Sequence, residues 1–518
     1  MKILVYISRI FVGALFIVSG LIKANDTLGF SYKLEEYFEN GALAYRMRDW
    51  FGWDSFSLEF FIEYALLLAV IMCAAEIILG FAILFGTKIK FAVFSLLGLT
   101  IMFFFLTLHT ATCDPFASYD EVTAVEVDSP EHIRFTNRME ENTKITIREE
   151  TAKEVIFVEE MPVQCVTDCG CFGDAMKGSL GRSLTPWESW TKDLILMMFL
   201  IPIFLFRNRI KINVAKEDLI IGISSLVFVG ILSWVFDWYF PILFFSVGYL
   251  GYYGTKRLLF NTVMRWIPIG VVTIITLVFI YYTLNHLPIR DYRAYAVDKS
   301  IPEQMVLPEG AVPDLFSNVF TYKDTVSGKV VDFYDTNGDT GEKLGYYIKE
   351  ELADTFRLMS DAEIPWNIPT YIFVDRITEL VKAGDKTPIT DFTITSMEDG
   401  NDYSADYFNE EGYIFMFVAY DINKTDEASL KKINTFVDQS GADGNYFIGL
   451  TSSLYDDVED FRHKNQTPFD FYSCDAITLK TIIRANPGIV LMKKGNILGK
   501  WNMSDLPDYK DVKIDYLK

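Results

Sequence analysis

Long apolar runs constrain this chain more than any other feature. About 20 consecutive apolar residues are enough to span the hydrocarbon core of a bilayer. Runs of that kind lie near 3–22, 60–85, 89–110, 188–206, 219–236 and 266–284. The fourth is interrupted at its start by Lys192 and Asp193, and a shorter run from Tyr239 to Gly254 is marginal. The first run imitates a signal peptide, but no small-x-small cleavage site precedes Lys23, so a retained span is expected. The expected fold class is a polytopic α-helical membrane protein of about seven transmembrane helices, joined to an α/β domain.

Charge placement sets the expected topology, because lysine and arginine in short loops favour the cytoplasm. Lys88 and Lys90 follow the second run, Arg207, Arg209, Lys211 and Lys216 the fourth, and Lys256, Arg257 and Arg265 the Tyr239–Gly254 run. With Met1 in the cytoplasm all three clusters are cytoplasmic, provided that Tyr239–Gly254 crosses. Segments 23–59, 111–187 and everything after 285 then lie outside, in the periplasm if this is a bacterial inner membrane. Lys23, Lys33, Arg46 and Arg48 in the first of these dissent mildly. That segment also holds Tyr37, Phe38, Tyr45, Trp50, Phe51 and Trp53, and is expected to lie on the membrane surface.

The net charge of −22 is concentrated in the C-terminal part. From Asn285 onward, 24 lysines and arginines face 40 aspartates and glutamates. Such a surface does not attract nucleic acid or anionic lipid by charge. Partners expected are membrane lipid and an envelope protein.

Ionisable side chains within spans are costly and usually face a partner or a cavity. Glu76 is the intramembrane polar candidate, either a proton or ligand site or a protonated carboxyl hydrogen-bonded in the bundle; Glu63 lies near the end of the same span. His109, at the end of the third span, reads as interfacial. Of six cysteines, Cys73 lies inside a span and Cys474 near the C-terminus. Cys113, Cys165, Cys169 and Cys171 share one outer loop, where an oxidising compartment favours disulfides. Four cysteines allow three connectivities. Cys113 and Cys165 are candidates for a structural staple. Cys169-Gly170-Cys171 is the candidate for a tight, exchangeable pair and for the catalytic role, with two ordinary disulfides as the alternative. No metal site is expected, a four-sulfur zinc centre being disfavoured outside the cytoplasm. Alternation at Thr123, Val125 and Val127, at Ile145 and Ile147, and the run Val155–Val158 predict a small β-element in the same loop.

After Pro288 comes a β-rich connector (285–389), with strand patterns at Ser317–Tyr322, Lys329–Tyr334 and Thr370–Asp375. From about 390 the pattern runs strand (Tyr413–Tyr420), helix (Lys424–Asp438), strand (Asn445–Leu450), helix (Leu454–Lys464), then Pro487 before a hairpin turning at Lys493–Asn496. This outline (390–518) resembles the thioredoxin fold of the membrane-anchored TlpA type, and Pro487 matches that family's cis-proline. The expected Cys-x-x-Cys is replaced by Asp421-Ile-Asn-Lys424, so the domain cannot run dithiol exchange alone.

Two further motifs carry a second resemblance. The first span reads Arg9-x3-Gly13-x2-Phe16-x3-Gly20-x2-Lys23, and Cys169-Gly-Cys-Phe-Gly-Asp174 precedes the fourth. Together with three further spans (207–284) and the degenerate tail, they resemble the Bacteroidota-type DoxX proteins of the DoxX/MauE group. The resemblance implies a four-helix DoxX-like domain over 1–206, with its cysteine-rich loop at 111–187. DoxX is linked to quinone-coupled oxidation and MauE to maturation of a disulfide-rich enzyme, so the resemblance implies electron or thiol traffic and admits a quinone as cofactor. Two functions follow: a thiol–disulfide or quinone-linked redox protein, or a non-enzymatic scaffold whose tail binds envelope proteins.

Overall fold

The computed structural model describes residues 2–53, 55–114, 117–126, 145–150, 154–166, 172–176, 183–258, 267–307, 309–350, 355–382, 384–390, 392–425 and 430–517. The chain opens with α1 (Lys2–Asn25), α2 (Thr27–Phe38) and α3 (Tyr45–Phe51), then α4 (Ala65–Phe85) and α5 (Ile89–Thr112). After a small sheet come α6 (Pro186–Phe206), α7 (Ala215–Val235), α8 (Phe240–Leu258) and α9 (Ile267–Asn285). Six of these helices are long and apolar enough to cross a membrane: α1, α4 with the turn before it, α5, α6, α7 and α9. Outward-facing side chains such as Phe91, Met198, Val227, Leu250 and Ile274 are exposed, as lipid contact requires.

α8 carries Lys256 and Arg257 in its last turn and is less apolar, yet it runs the length of the bundle. Its first residue, Phe240, stacks on Phe279 near the end of α9 at 5.0 Å. Tyr252, three turns on, stacks on Phe85 at the end of α4 at 3.5 Å. Lys256 then donates to the Asn213 carbonyl at 2.7 Å and pairs with Asp218 at the start of α7. With α8 crossing, the 111–187 loop and the C-terminal region share one end of the bundle, hereafter the Lys23 end. The opposite, Arg9 end carries Lys88, Arg207, Arg209, Lys211 and Lys256.

The loop after α5 contains β1 (Ser118–Glu126), β2 (Ile145–Glu150) and β3 (Glu154–Pro162), in antiparallel order β1-β3-β2. These are the three strands that the alternation predicts. The 23–59 segment departs from expectation in α2, while Trp50, Phe51 and Trp53 at and after the end of α3 are exposed. α2 buries Phe30, Leu34 and Tyr37 in the bundle core, so it is a packed element and not a surface one. Its spacing of Phe30, Leu34 and Tyr37 is one helical face, which the surrounding charges obscure.

Beyond α9 the short α10 (Ile301–Gln304) leads to a five-stranded sheet, β4 (Leu315–Asp324), β5 (Val330–Tyr334), β6 (Tyr347–Glu350), β7 (Thr355–Leu358) and β8 (Tyr371–Lys382), in the order β7-β6-β5-β4-β8. The last part contains β9 (Thr395–Ser396), α11 (Ser404–Asn409), β10 (Ile414–Val418), α12 (Leu430–Ala442), β11 (Tyr446–Thr451), α13 (Tyr455–Asn465), β12 (Phe471–Ser473), α14 (Ala476–Ile482), β13 (Gly488–Lys493), β14 (Asn496–Asn502) and α15 (Tyr509–Tyr516). Its sheet has the order β14-β13-β10-β11-β12-β9. β10, β11 and β12 are parallel, and β13 runs antiparallel to β10. Every residue of β10 is buried, because Phe415 and Phe417 face one core while Ile414, Met416 and Val418 face the other. The short β12 and the helices α14 and α15 escaped the sequence pattern.

Candidate functional site

The pattern Arg9, Gly13, Phe16, Gly20, Lys23 has spacings of four and three, so it marks one face of α1. That face lies on α4. A Cβ on Gly13 would come within 2.9 Å of the Gly80 carbonyl, and one on Gly20 within 2.7 Å of Ile77. The glycines therefore permit backbone contact between α1 and α4. Each end of this seam is closed by a cation. At one end Arg9 donates to the carbonyls of Ile83 (2.9 Å) and Leu84 (2.8 Å) and to Asn213 Oδ1 (2.7 Å). These carbonyls belong to the last turn of α4, where that of Ile83 also accepts the Gly86 amide at 3.3 Å and that of Leu84 the Asn213 side-chain amide at 2.9 Å.

At the other end Lys23 forms an ion pair with Glu76 of α4. Both are buried, Glu76 completely. The Lys23 ammonium also donates to Ser19 Oγ at 3.3 Å and lies 4.2 Å from the centre of the Phe103 ring. Glu76 Oε2 has no hydrogen-bond partner among the described residues. A second pair closes the site: Asp193 of α6 is buried, 3.0 Å from Lys192, and accepts from Thr107 of α5 at 3.2 Å. The ionisable residues that weaken the fourth span in sequence are thus part of a polar centre. Thr185 and Glu188 form a capping box one turn before them, with Glu188 Oε2 accepting from the Thr185 amide at 2.8 Å and Pro186 opening the helix.

Phe172, from the Cys-Gly-Cys-Phe motif, roofs this centre. It is buried, 4.9 Å from the Lys192 ammonium and 5.0 Å from the Phe236 ring of the α7 terminus. Below it a space of about 20 Å³ is lined by Ser19, Lys23, Glu76, Phe103 and Asp193. Above it a cavity of about 110 Å³ is lined by Asn25, Asp26, Asp291, Arg293 and Arg484. Lys23 and Phe172 line both. The lower space holds about one water molecule.

The C-terminal domain contributes Arg484 to the wall of the upper cavity. Arg484 Nε donates to both carboxylate oxygens of Asp26, at 2.9 and 3.0 Å. Asp291 binds Arg293 at 2.7 Å and Lys500 at 2.7 Å. Burial alone would raise the carboxyl of Asp26, but Arg484, Arg293 and the Gly29 amide hold it below its usual range. The same opposition, between burial and the cations Arg293 and Lys500, leaves Asp291 far below the ordinary carboxylate range. His286 at the end of α9 contacts Asp505 at 2.6 Å.

Pro487 lies in the cleft between this domain and the bundle. The Asn486–Pro487 peptide is cis. The Asn486 side chain donates to the Asp421 carbonyl at 2.8 Å and accepts from its amide at 3.3 Å. The Asp421–Lys424 loop is thus tied to the residue before the proline. Beside them Tyr420 meets Tyr32 of α2, ring centres 6.4 Å apart. Cys474 is buried, and burial pushes its thiol up to about 12, so it is not a thiolate at neutral pH.

Cys113 and Cys165 are joined in a disulfide that fastens the loop to the end of α5, with Cα atoms 5.7 Å apart. Cys169 and Cys171 lie outside the described residues. Cys73 is buried in α4, one turn from Glu76. Glu63 is exposed on the turn before α4 and takes no part in the centre. His109, near the end of α5, is fully buried between Tyr37 and Tyr45, with ring centres 6.4 and 6.0 Å away. Among the described residues no group of three or more His, Cys, Asp and Glu side chains is placed to hold a metal ion. Sequence reasoning missed Lys23 as the partner of Glu76; the signal was its place in the four-three spacing.

A bundle of apolar helices with polar groups turned inward defines a multi-pass membrane protein. A family model described as DoxX matches residues 4–109, which span α1 to α5 up to His109, and this region is DoxX-like. No curated protein matches the chain.

Proposed function

We propose that the protein performs thiol–disulfide exchange at the Lys23 end of the bundle, on the periplasmic face of a bacterial inner membrane. The basic clusters at the Arg9 end support this orientation. So does a disulfide at the Lys23 end, since disulfides persist in oxidising compartments. The observation that carries this reading is Phe172: the residue that follows Cys171 in the sequence is buried over the Lys23–Glu76 centre and lines the upper cavity.

In the exchange, a client dithiol gives two electrons and two protons to the Cys169–Cys171 disulfide. One S–S bond breaks in the motif as one forms in the client. A second disulfide-bearing protein of the same compartment reverses the step and restores the motif. The 390–518 domain, read as thioredoxin-like from its parallel β10-β11-β12 core and the antiparallel hairpin after Pro487, has no thiol pair and serves to hold or recognise the client. Replacing Cys169 and Cys171 by serine tests the reading. Client thiols should accumulate in a changed redox state, and an unchanged state would contradict it.

The alternative, a non-enzymatic scaffold, draws on one observation: Asn486 locks the Asp421 loop where a reactive pair would stand. It predicts two unreactive disulfides in the native loop.

A further inference from the structure

The seam between α1 and α4 is asymmetric. From Glu76 toward the Arg9 end it is filled by the fully buried Ile17 and Ile77, and by the close contacts of Gly80 with Gly13 and Ile17. From Glu76 toward the other end, polar groups continue. Lys23 bridges the lower space and the upper cavity, and Asn25 and Asp26 follow it at the cavity wall. Among the described loop residues, Phe172 lines both volumes. The space beside Glu76 is lined by Ser19 and Lys23 from α1, Phe103 from α5, and Lys192 and Asp193 from α6, with Thr107 of α5 behind Asp193, to which it donates, and Cys73 one turn away on the helix of Glu76.

A carboxylate in this setting can take a second role. One oxygen is held by Lys23; the other, Oε2, is buried, has no partner among the described residues, and belongs to the lining of a space the size of one water. A buried acceptor without a partner costs free energy, and a proton or a water relieves it.

We propose that Lys23, Glu76, Thr107 and Asp193 form a proton-access path that opens only to the cavity under the C-terminal domain, with Phe172 as its plug. Glu76 takes its proton from the aqueous phase at that face and returns it there. No proton crosses the bundle, because the seam at Ile17, Gly80 and Ile77 is closed. This path does not depend on the thiol reading; it follows from the packing of described residues alone.

Infrared spectroscopy of the full-length protein in sealed vesicles tests it, with the exposed face assigned by proteolysis of the C-terminal domain. An acid step on that face should produce a carboxylic-acid band that Glu76→Gln removes. Because Glu76→Gln leaves Lys23 without its counter-charge and can disturb folding, Phe172 variants give the second arm. Phe172→Ala should speed the appearance of the band by roughly tenfold and Phe172→Trp should slow it by a similar factor. A band that arises equally from acid on the opposite face, the same rate in all three proteins, or no titrating carboxyl band would overturn the proposal.

Discussion

Two ion pairs three residues apart in the chain behave as different devices. Lys23–Glu76 lies inside the bundle, with both side chains almost wholly buried. Asp26–Arg484 joins the start of α2 to the C-terminal domain, and both of its side chains keep some exposure. The Coulomb attraction is similar in kind. The consequences differ because desolvation sets the cost of losing a partner. The inner pair is part of the fold of the bundle; the outer one is a latch between two parts that fold around separate cores.

The largest effect should follow from breaking the inner pair. Glu76→Ala leaves a buried ammonium without its counter-charge and should destabilise the bundle by about 3–5 kcal/mol in detergent unfolding. The double variant Lys23→Met/Glu76→Leu should recover most of that loss, since well-packed apolar residues often replace a buried pair without penalty. If both variants unfold alike, the pair is not the unit described.

Next comes the loop staple. Cys113→Ser opens the link between the α5 terminus and β3 and should cost about 2–4 kcal/mol in unfolding of the loop. Hydrogen exchange should rise in β1 to β3 while α1 and α4 stay protected.

Arg484→Ala should cost about 1.5–3 kcal/mol of docking, the range for hydrogen bonds to charged groups. It should raise protease cleavage of the 286–313 connector without changing the melting of the bundle. A lowered bundle melting temperature would erase the distinction between latch and core.

Acid should act in the same place. Asp26 and Asp291 are depressed in the folded protein, so each contributes stability that is present above the ordinary carboxylate pKa and is lost as pH falls through the depressed value. Docking, followed by the same cleavage assay, should therefore persist at mildly acidic pH and fail only below the usual carboxylate range. Loss at pH 5 would contradict this assignment.

How much of this was legible depends on the period of each signal. The spans were legible because hydrophobicity over 20 residues survives local exceptions, and α8 could be placed only with its neighbours, since Lys256 and Arg257 end a run that composition alone leaves marginal. The strand Ile414–Val418 was legible as an unbroken apolar run. By contrast, β12 has three residues, too few for any period. Glu76 was visible as a charge in a span, but its partner was not. Lys23 reads as the first residue of a loop until α1 is seen to continue to Asn25. Asp26–Arg484 spans 458 residues, and nothing local in either segment announces it.

The central claim, that chemistry belongs to the loop and not to the C-terminal domain, is tested most directly by differential thiol alkylation of the native protein in intact cells. After mild reduction, Cys169 and Cys171 should react with a membrane-impermeant reagent, while Cys113, Cys165 and Cys474 react only after denaturation. Protection of Cys169 and Cys171 under the same conditions, or labelling of Cys474 in their place, would contradict the account.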